Sequence, residues 1–367
     1  MEDKTYEYDL VIVGGGISGA TIAALNKDKR VLVIERGQIG GLARTEDFNG
    51  TIVHKHGAHI FHTDDDYVWE FVNNHAIFNG YIHQEKALIN DKVVPFPINI
   101  DTYNLYYDVS EPSDVNTCIE SGLKNKESLE EYLSNVLGEN LYNKYYKGYL
   151  TKYWGMQPKD LPWFLFNQED IRSTYSSIAF KDRFQGVPIH GYTSMIEDML
   201  SDADVIQADF LSDKEYYKSL APVVIYTGSL DEYFNYGWGK LPYRSFIHRL
   251  SIEPVNDYQG CAVMRHCDED VRVLNTTEHW FMDGENEENT TVVSRCYSRD
   301  YEDGKGYLRG RAYPLDKPQA LWGKYMNKMM EEEGVYIAGH LAHYCDMTMA
   351  ECVKDAMITN DIINDSI

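Results

Sequence analysis

The chain has 367 residues, 43% hydrophobic and 25% charged, with 34 Lys and Arg against 58 Asp and Glu, a formal net charge of −24. That length suits about two domains with sizeable cores, and the composition excludes wholesale disorder. The negative charge repels phosphate backbones and anionic lipid, which excludes general nucleic-acid or membrane binding and leaves small molecules as the expected partners.

The opening residues, Met1 to Lys4, are acidic and unlike a signal peptide. Six scattered cysteines, Cys118, Cys261, Cys267, Cys296, Cys345 and Cys352, form no Cys-x-x-Cys pair and no zinc-like spacing with histidine. A reducing, cytoplasmic setting without structural disulfides or a metal site is the expectation.

Asp9 to Val13 is a short apolar run that predicts a buried parallel strand. Gly14, Gly16 and Gly19 follow in G-x-G-x-x-G spacing, and Ala20 to Asn26 reads as a helix. Arg30 to Ile34 is a second buried strand, running into Glu35, 21 residues after Gly14. Together these make a dinucleotide cradle. Gly14 permits the tight turn, Gly16 admits a pyrophosphate against bare backbone, and Gly19 lets helix and strand pack. The helix N-terminus offers N–H groups to the phosphates, and Glu35 would accept from the ribose hydroxyls.

Arg36 and then Gly40 and Gly41 resemble the extended motif of the glutathione-reductase-like FAD proteins. Near the other end, Gly334 to Gly339 reads as a strand closing on a glycine, with helical character on to Ile363. The expected cofactor is therefore FAD, held by a domain built from both chain ends.

In the middle, Ser128 and Glu131 form a capping box, and Leu129, Tyr132, Leu133, Val136 and Leu137 predict an amphipathic helix ended by Gly138. Leu141, Tyr142, Tyr145, Tyr146, Tyr149, Leu150 and Tyr153 line one face of a second helix, ended by Trp154 and Gly155. Such a stripe is either core packing or a cleft wall on which a base or sugar stacks. From Gln259 to Arg311 the pattern changes to short strands, among them Cys261–Met264 and Thr290–Ser294. The predicted fold is α/β: a Rossmann-like, glutathione-reductase-like FAD-binding domain with an inserted helical domain and an antiparallel sheet domain. The expected division is 1–80 plus 185–240 plus 330–367 for the cofactor, 100–170 for the helical domain, and 81–99 plus 171–184 plus 241–329 for the sheet.

Further landmarks are Gly57 to Thr63 (GAHIFHT), Phe96 to Asn99 (FPIN), Lys147 to Tyr149 (KGY), Trp154 to Pro158 (WGMQP), Phe184 to Gly186 (FQG), Gly191 to Thr193 (GYT), Tyr258 to Gly260 (YQG), Thr277 to His279 (TEH), and Tyr313 with Pro314. In order along nearly the whole chain, these resemble the bacterial UDP-galactopyranose mutase family. The resemblance implies a homodimeric flavoenzyme. In that family the reduced flavin N5 attacks the anomeric carbon of UDP-galactose and expels UDP, and the sugar opens and recloses in the other ring size.

Carried over residue by residue, the resemblance makes His62 the histidine near the flavin. Arg244 becomes the arginine of the flavin region and Tyr313 the tyrosine near diphosphate and flavin. These three are the catalytic candidates. Tyr149 resembles the tyrosine on uracil, with Tyr145 and Tyr146 beside it, and Trp154 the tryptophan beside the sugar. The implied cofactor set is Gly14, Gly16, Ser18, Gly19, Glu35, Arg36, Gly41, Leu42, His59, Ile60, Gly339, His340, Met347 and Thr348. The departures concern charge. The family's two phosphate-binding arginines fall on Gln168 and on Asn275, the latter taken as a mobile-loop position. A phosphate-contacting tyrosine falls on Ala179, a Gly-Arg pair at the FAD pyrophosphate reads Gly339-His340, and a Gly-Gly-Asn reads Gly40-Gly41-Leu42. The family's C-terminal Tyr-x-Asp falls on Asp346 and Thr348, or with a two-residue deletion on Tyr344 and Asp346. Arg265, Arg272, Arg309 and Arg311 are candidate replacements. Two reactions stay open: a sugar mutase with relocated phosphate contacts, or a diverged oxidase or lyase acting on an amine or modified nucleoside without a diphosphate.

Overall fold

In the computed structural model, which describes residues 6–108, 111–116, 127–166, 171–284 and 289–366, the first strand lies at the centre of a five-stranded parallel sheet. The strand order is Val335–Ile337, Val223–Tyr226, Leu10–Val13, Val31–Glu35, Asp204–Gln207. The central strands are apolar on both faces because both are covered. Leu10, Ile12, Val31, Val33, Val223 and Ile225 pack with helices Ile17–Leu25, Gly191–Met199 and Met349–Ser366. Val11, Leu32, Ile34, Val224 and Tyr226 face the other way, onto Phe210, Tyr233, Tyr325 and Met329.

Tyr325 and Met329 belong to helix Asp316–Met329, which the expected division at 241–329 places with the antiparallel sheet. The helix joins the parallel sheet instead. Its buried Tyr325 and Met329 pack on the parallel sheet's core, where Tyr325 donates to the Gly239 carbonyl at 2.6 Å and accepts from the Trp238 N–H at 3.0 Å.

The second sheet has seven strands in the order Arg311–Ala312, Tyr243–Glu253, Thr291–Asp300, Asn275–Glu278, Val263–His266, Glu85–Ile89, Lys92–Phe96. All neighbours are antiparallel except Val263–His266 with Glu85–Ile89. Its longest pairing runs from Arg244↔Asp300 to Glu253↔Thr291.

The helical layer sits over this sheet. The Ser128 hydroxyl accepts from the Glu131 N–H at 3.2 Å and opens helix Leu129–Leu141. Gly138 breaks that helix with φ 76°, but the chain runs straight on into a π-helical turn, Tyr142–Lys147, and helix Gly148–Trp154. The π turn corrects the reading of one continuous stripe. Each wide turn takes up an extra residue, so side chains after it point to a new face. Tyr142, Tyr145 and Tyr146 pack with Tyr132 and Phe166 of the helical layer and with Ala87, Ile89, Val94 and Phe96 of the last two strands. Tyr149 and Tyr153 meet a different part of the sheet, Leu274, Cys296 and Phe246. Among the described residues no helix is long and apolar enough to cross a membrane, and the five described cysteines are free thiols.

Candidate functional site

The cofactor cradle is bare backbone. A Cβ on Gly14, whose φ is +111°, would overlap the Thr227 hydroxyl oxygen. One on Gly41 would come within 3.2 Å of the Gly16 Cα, so the two glycine turns face each other. Gly339 closes the third side: its Cβ would stand 2.7 Å from the Ser18 Oγ. The Glu35 carboxylate is fixed at the second strand's end by the Gly15 N–H at 2.7 Å and the Gly37 N–H at 2.6 Å. Each oxygen keeps lone-pair capacity for a ribose hydroxyl. A cleft of about 380 Å³ adjoins it, walled by Gln38, Ile39, Val205, Ile206 and Gln207. These features fit a dinucleotide cofactor.

The other cofactor candidates divide. Leu42 is half-buried in the short turn Gly41–Ala43 and Ile60 is buried. Arg36 turns away to Glu232 at 3.6 Å, and Met347 packs on the parallel-sheet core. Thr348 is exposed and caps the last helix, exchanging bonds with Glu351 at 2.7 and 3.2 Å.

His54, His56, His59, His248, His279 and His340 are packed near one another. The His59 N–H donates to His54 Nδ1 at 3.0 Å, and the His54 N–H points to His279 Nδ1 at 3.4 Å. Those acceptor nitrogens carry no proton, so the His279 proton sits on Nε2, where the Ser294 hydroxyl lies at 3.0 Å. Burial lowers His56, His248 and His340 to about 4 and His279 to about 3, so all are neutral at pH 7. The Nε2 atoms of His54 and His340 are buried without a hydrogen-bond partner.

His62 stands in a different group. Its Nδ1 pairs with Asp182 at 2.9 Å and its ring stacks on Phe180, centroids 3.8 Å apart. His83 also stacks with Phe180, centroids 5.5 Å apart, and bonds Glu85 through Nε2 at 3.0 Å. Glu85 also meets Arg265. Burial pushes the Glu85 carboxyl up, but Arg265 and His83 overcome it and hold it at about 2. Asp182 and Phe180 carry no motif in the sequence that would mark them.

The aromatic helix Gly148–Trp154 is seated by its own carbonyls. All five N–H groups of buried Arg244 have protein partners. Nε donates to the Tyr153 carbonyl at 2.9 Å and Nη2 to the Lys152 carbonyl at 3.2 Å and Ser298 Oγ at 2.8 Å. Nη1 meets Asp300 at 2.5 Å and the Tyr313 hydroxyl at 3.4 Å. Tyr313 donates to Asp300 at 2.6 Å and lies 3.1 Å from the Trp154 carbonyl; burial, with Asp300 as acceptor, pushes its phenol up to about 12. Arg244 and Tyr313 thus cap a helix C-terminus, which their catalytic reading does not foresee. Trp154 is buried, 6.2 Å from the Tyr313 ring.

Lys152 belongs to no motif and sequence reasoning passes over it. Its ammonium donates to the carbonyls of His266, Asp268, Val271 and Val273 at 2.7 to 3.2 Å. One turn earlier, Gly148 lies so close to the same loop that a Cβ would stand 2.5 Å from the Cys267 carbonyl oxygen. The loop 267–274 is pinned to the aromatic helix at two points.

Among the substrate candidates, Tyr149 has the Arg265 guanidinium 5.3 Å from its ring and the Asn275 side chain beside it. Asn275 opens strand Asn275–Glu278, so the mobile-loop reading of that position is corrected; ladder pairing to Arg265 and Cys296 holds its backbone. Tyr145 and Tyr146, 1% and 3% exposed, are core residues, and Tyr149 is buried as well at 7%. Gln168 lies outside the described residues. Tyr344 is buried, its hydroxyl donating to the Pro242 carbonyl at 2.7 Å, and Asp346 pairs with Arg311. Of the four candidate replacement arginines, Arg309 is bound in a buried pair with Asp231 at 2.9 Å and Arg272 is exposed. Arg265 and Arg311 flank the Tyr149–Tyr153 pair.

Residues 144–345 match the family described as UDP-galactopyranose mutase, and residues 12–74 match the NAD(P)-binding Rossmann-like domain. The chain is 32% identical to a dTDP-fucopyranose mutase of Escherichia coli over 95% of its length and 96% of that protein's. It is 33% identical to a probable UDP-galactopyranose mutase of Klebsiella pneumoniae, over 95% and 94%. Among solved structures, a reduced UDP-galactopyranose mutase superposes with a TM-score of 0.69 at 12% identity, over 98% of this chain and 96% of that one.

Proposed function

The chain belongs to the UDP-galactopyranose mutase family, and on that premise we propose that it is an FAD-dependent mutase interconverting the pyranose and furanose forms of a nucleotide-diphosphate hexose. Membership implies a flavin cofactor and a sugar-nucleotide substrate. UDP-galactose is the first candidate substrate, and the relative from Escherichia coli makes dTDP-fucose the second.

The observation that carries the reading is the seating of the aromatic helix Gly148–Trp154. Arg244, Ser298, Tyr313 and Lys152 fix it at several points, which sets Tyr149 and Trp154 rigidly against the sheet. A flat ring held at low entropic cost is a platform for a nucleobase, and the indole supplies an apolar wall for a sugar. FAD, when bound and reduced, supplies the nucleophile for the anomeric carbon. The protein's part is to hold geometry and protons. Asp182 accepts from His62 Nδ1–H, which leaves Nε2 as the nitrogen that exchanges hydrogen bonds in the site. Tyr313 stays protonated across the neutral range. His54 and His59, both shifted down by burial, give the cofactor a weakly polar surround that excludes water.

The test is incubation of dithionite-reduced, FAD-loaded protein with UDP-galactofuranose and, separately, dTDP-fucofuranose, read by chromatography. Turnover of one or both is expected. No turnover of either, with flavin still bound and reducible, refutes the reading. Asn275, uncharged beside Tyr149, favours the second reading, an oxidase or lyase acting on an amine or modified nucleoside. Steady oxygen consumption or anaerobic flavin bleaching by such a compound is its signature.

A further inference from the structure

Arg311 lies where the three parts of the site meet. Its strand pairs beside Arg244, with Arg311 directly opposite it, and Gly310 presses so close that a Cβ there would stand 2.9 Å from the Arg244 carbonyl oxygen. The backbone at 311 is therefore fixed. On one side the guanidinium carbon is 5.8 Å from the Tyr153 ring, on the aromatic helix. On another it reaches Asp346, on the segment that follows Gly339 and His340 of the cofactor cradle. Its positive charge also acts on His59 and His340. Burial keeps those two rings neutral, and the His340 Nε2 has no hydrogen-bond partner. The pair with Asp346 is open to water, the side chains being 38% and 63% exposed. An exposed ion pair contributes little and gives way readily to a stronger anion. A diphosphate presents more charge than one carboxylate, and guanidinium binds it in forked geometry.

We propose that Arg311 is a diphosphate-binding residue at the junction of the cofactor cradle and the aromatic cleft, exchanging Asp346 for the ligand's phosphates. The diphosphate comes either from FAD or from the nucleotide-sugar, and only the second source rests on the mutase reading.

Two titrations separate the sources, using the full chain. Flavin-stripped protein is titrated with FAD by flavin fluorescence, and FAD-loaded protein with UDP and with uridine by calorimetry. Variants are Arg311→Leu and the charge-relocating pair Arg311→Leu with His340→Arg. Arg311→Leu is expected to weaken FAD or UDP at least tenfold, leave uridine within twofold, and recover in the double variant. A loss confined to FAD assigns the cofactor's diphosphate, and a loss confined to UDP assigns the substrate's. If FAD and UDP both stay within twofold, or uridine weakens as much as UDP, the proposal is overturned. If the unmodified protein binds no UDP, UDP-galactose is ruled out as its substrate and dTDP with thymidine replaces UDP with uridine in the same titration, while the FAD titration still decides the cofactor role of Arg311. Equal melting temperatures for the variants confirm that a change in affinity is not unfolding.

Discussion

Lowering the pH from 7 to 5 is expected to remove most of the protein's stability, because of histidines that the fold keeps neutral. His56, His248 and His340 fall from 6.5 to about 4 and His279 to about 3, each through burial. A folded value below the unfolded one means the unfolded chain binds more protons. Stability is complete above pH 6.5 and is lost as the pH falls toward 4. At pH 5 an unfolded histidine is almost fully charged and these are nearly uncharged, a difference worth roughly 2 kcal/mol each. His279 is buried outright, while His56, His248 and His340 are half-buried taken as whole residues. Counting the three between half and full weight gives a loss of about 5–8 kcal/mol, within the range of a whole domain's stability. The assay is urea unfolding by tryptophan fluorescence at pH 7, 6, 5.5 and 5 with a fixed excess of FAD. The slope is expected to correspond to roughly two to four protons, or about 3–5 kcal/mol per pH unit. His56→Asn should lower it by about one proton or less. A slope below one proton, about 1.4 kcal/mol per pH unit, refutes the reasoning.

Lys152→Met removes donors to four loop carbonyls and should cost about 2–3 kcal/mol locally, seen as at least tenfold faster amide exchange in 266–274; unchanged exchange would mean the loop is held by other contacts. Gly339→Ala places a methyl 2.7 Å from Ser18 Oγ at φ +84° and should yield protein that retains little flavin absorbance after gel filtration. Tyr149→Ala should raise KM for the sugar nucleotide about 10- to 100-fold and, because Tyr149 is buried, lower Tm as well, whereas Tyr145→Ala should lower Tm with KM unchanged. A rise in KM for Tyr145→Ala with none for Tyr149→Ala would refute the assignment of Tyr149 to the nucleobase.

The sequence by itself determined the cradle. Gly14, Gly16 and Gly19 between two β-branched runs, with Glu35 at the second strand's end, express short-range rules of turn geometry and burial that need no distant partner. The capping of Leu129–Leu141 by Ser128 is legible for the same reason. The run Cys261–Met264 predicts a strand two residues early, since an apolar run does not reveal where its ladder partners begin; pairing with Glu85–Ile89 sets the strand at Val263–His266. Tertiary structure alone decided which part of the sheet each tyrosine meets, Tyr146 beside Phe96 and Tyr149 beside Leu274 and Cys296, because the wide turn Tyr142–Lys147 shifts the helical phase and leaves no mark in composition. It alone decided the fate of the arginines. Arg309 and Arg311 are two residues apart and equivalent on paper, yet one meets buried Asp231 and the other an exposed carboxylate beside the cofactor crevice. Arg244 takes its partners from residues as distant in the chain as Tyr153 and Asp300. A charged group's role is set by what burial brings against it, and that neighbourhood exists only once the chain has folded.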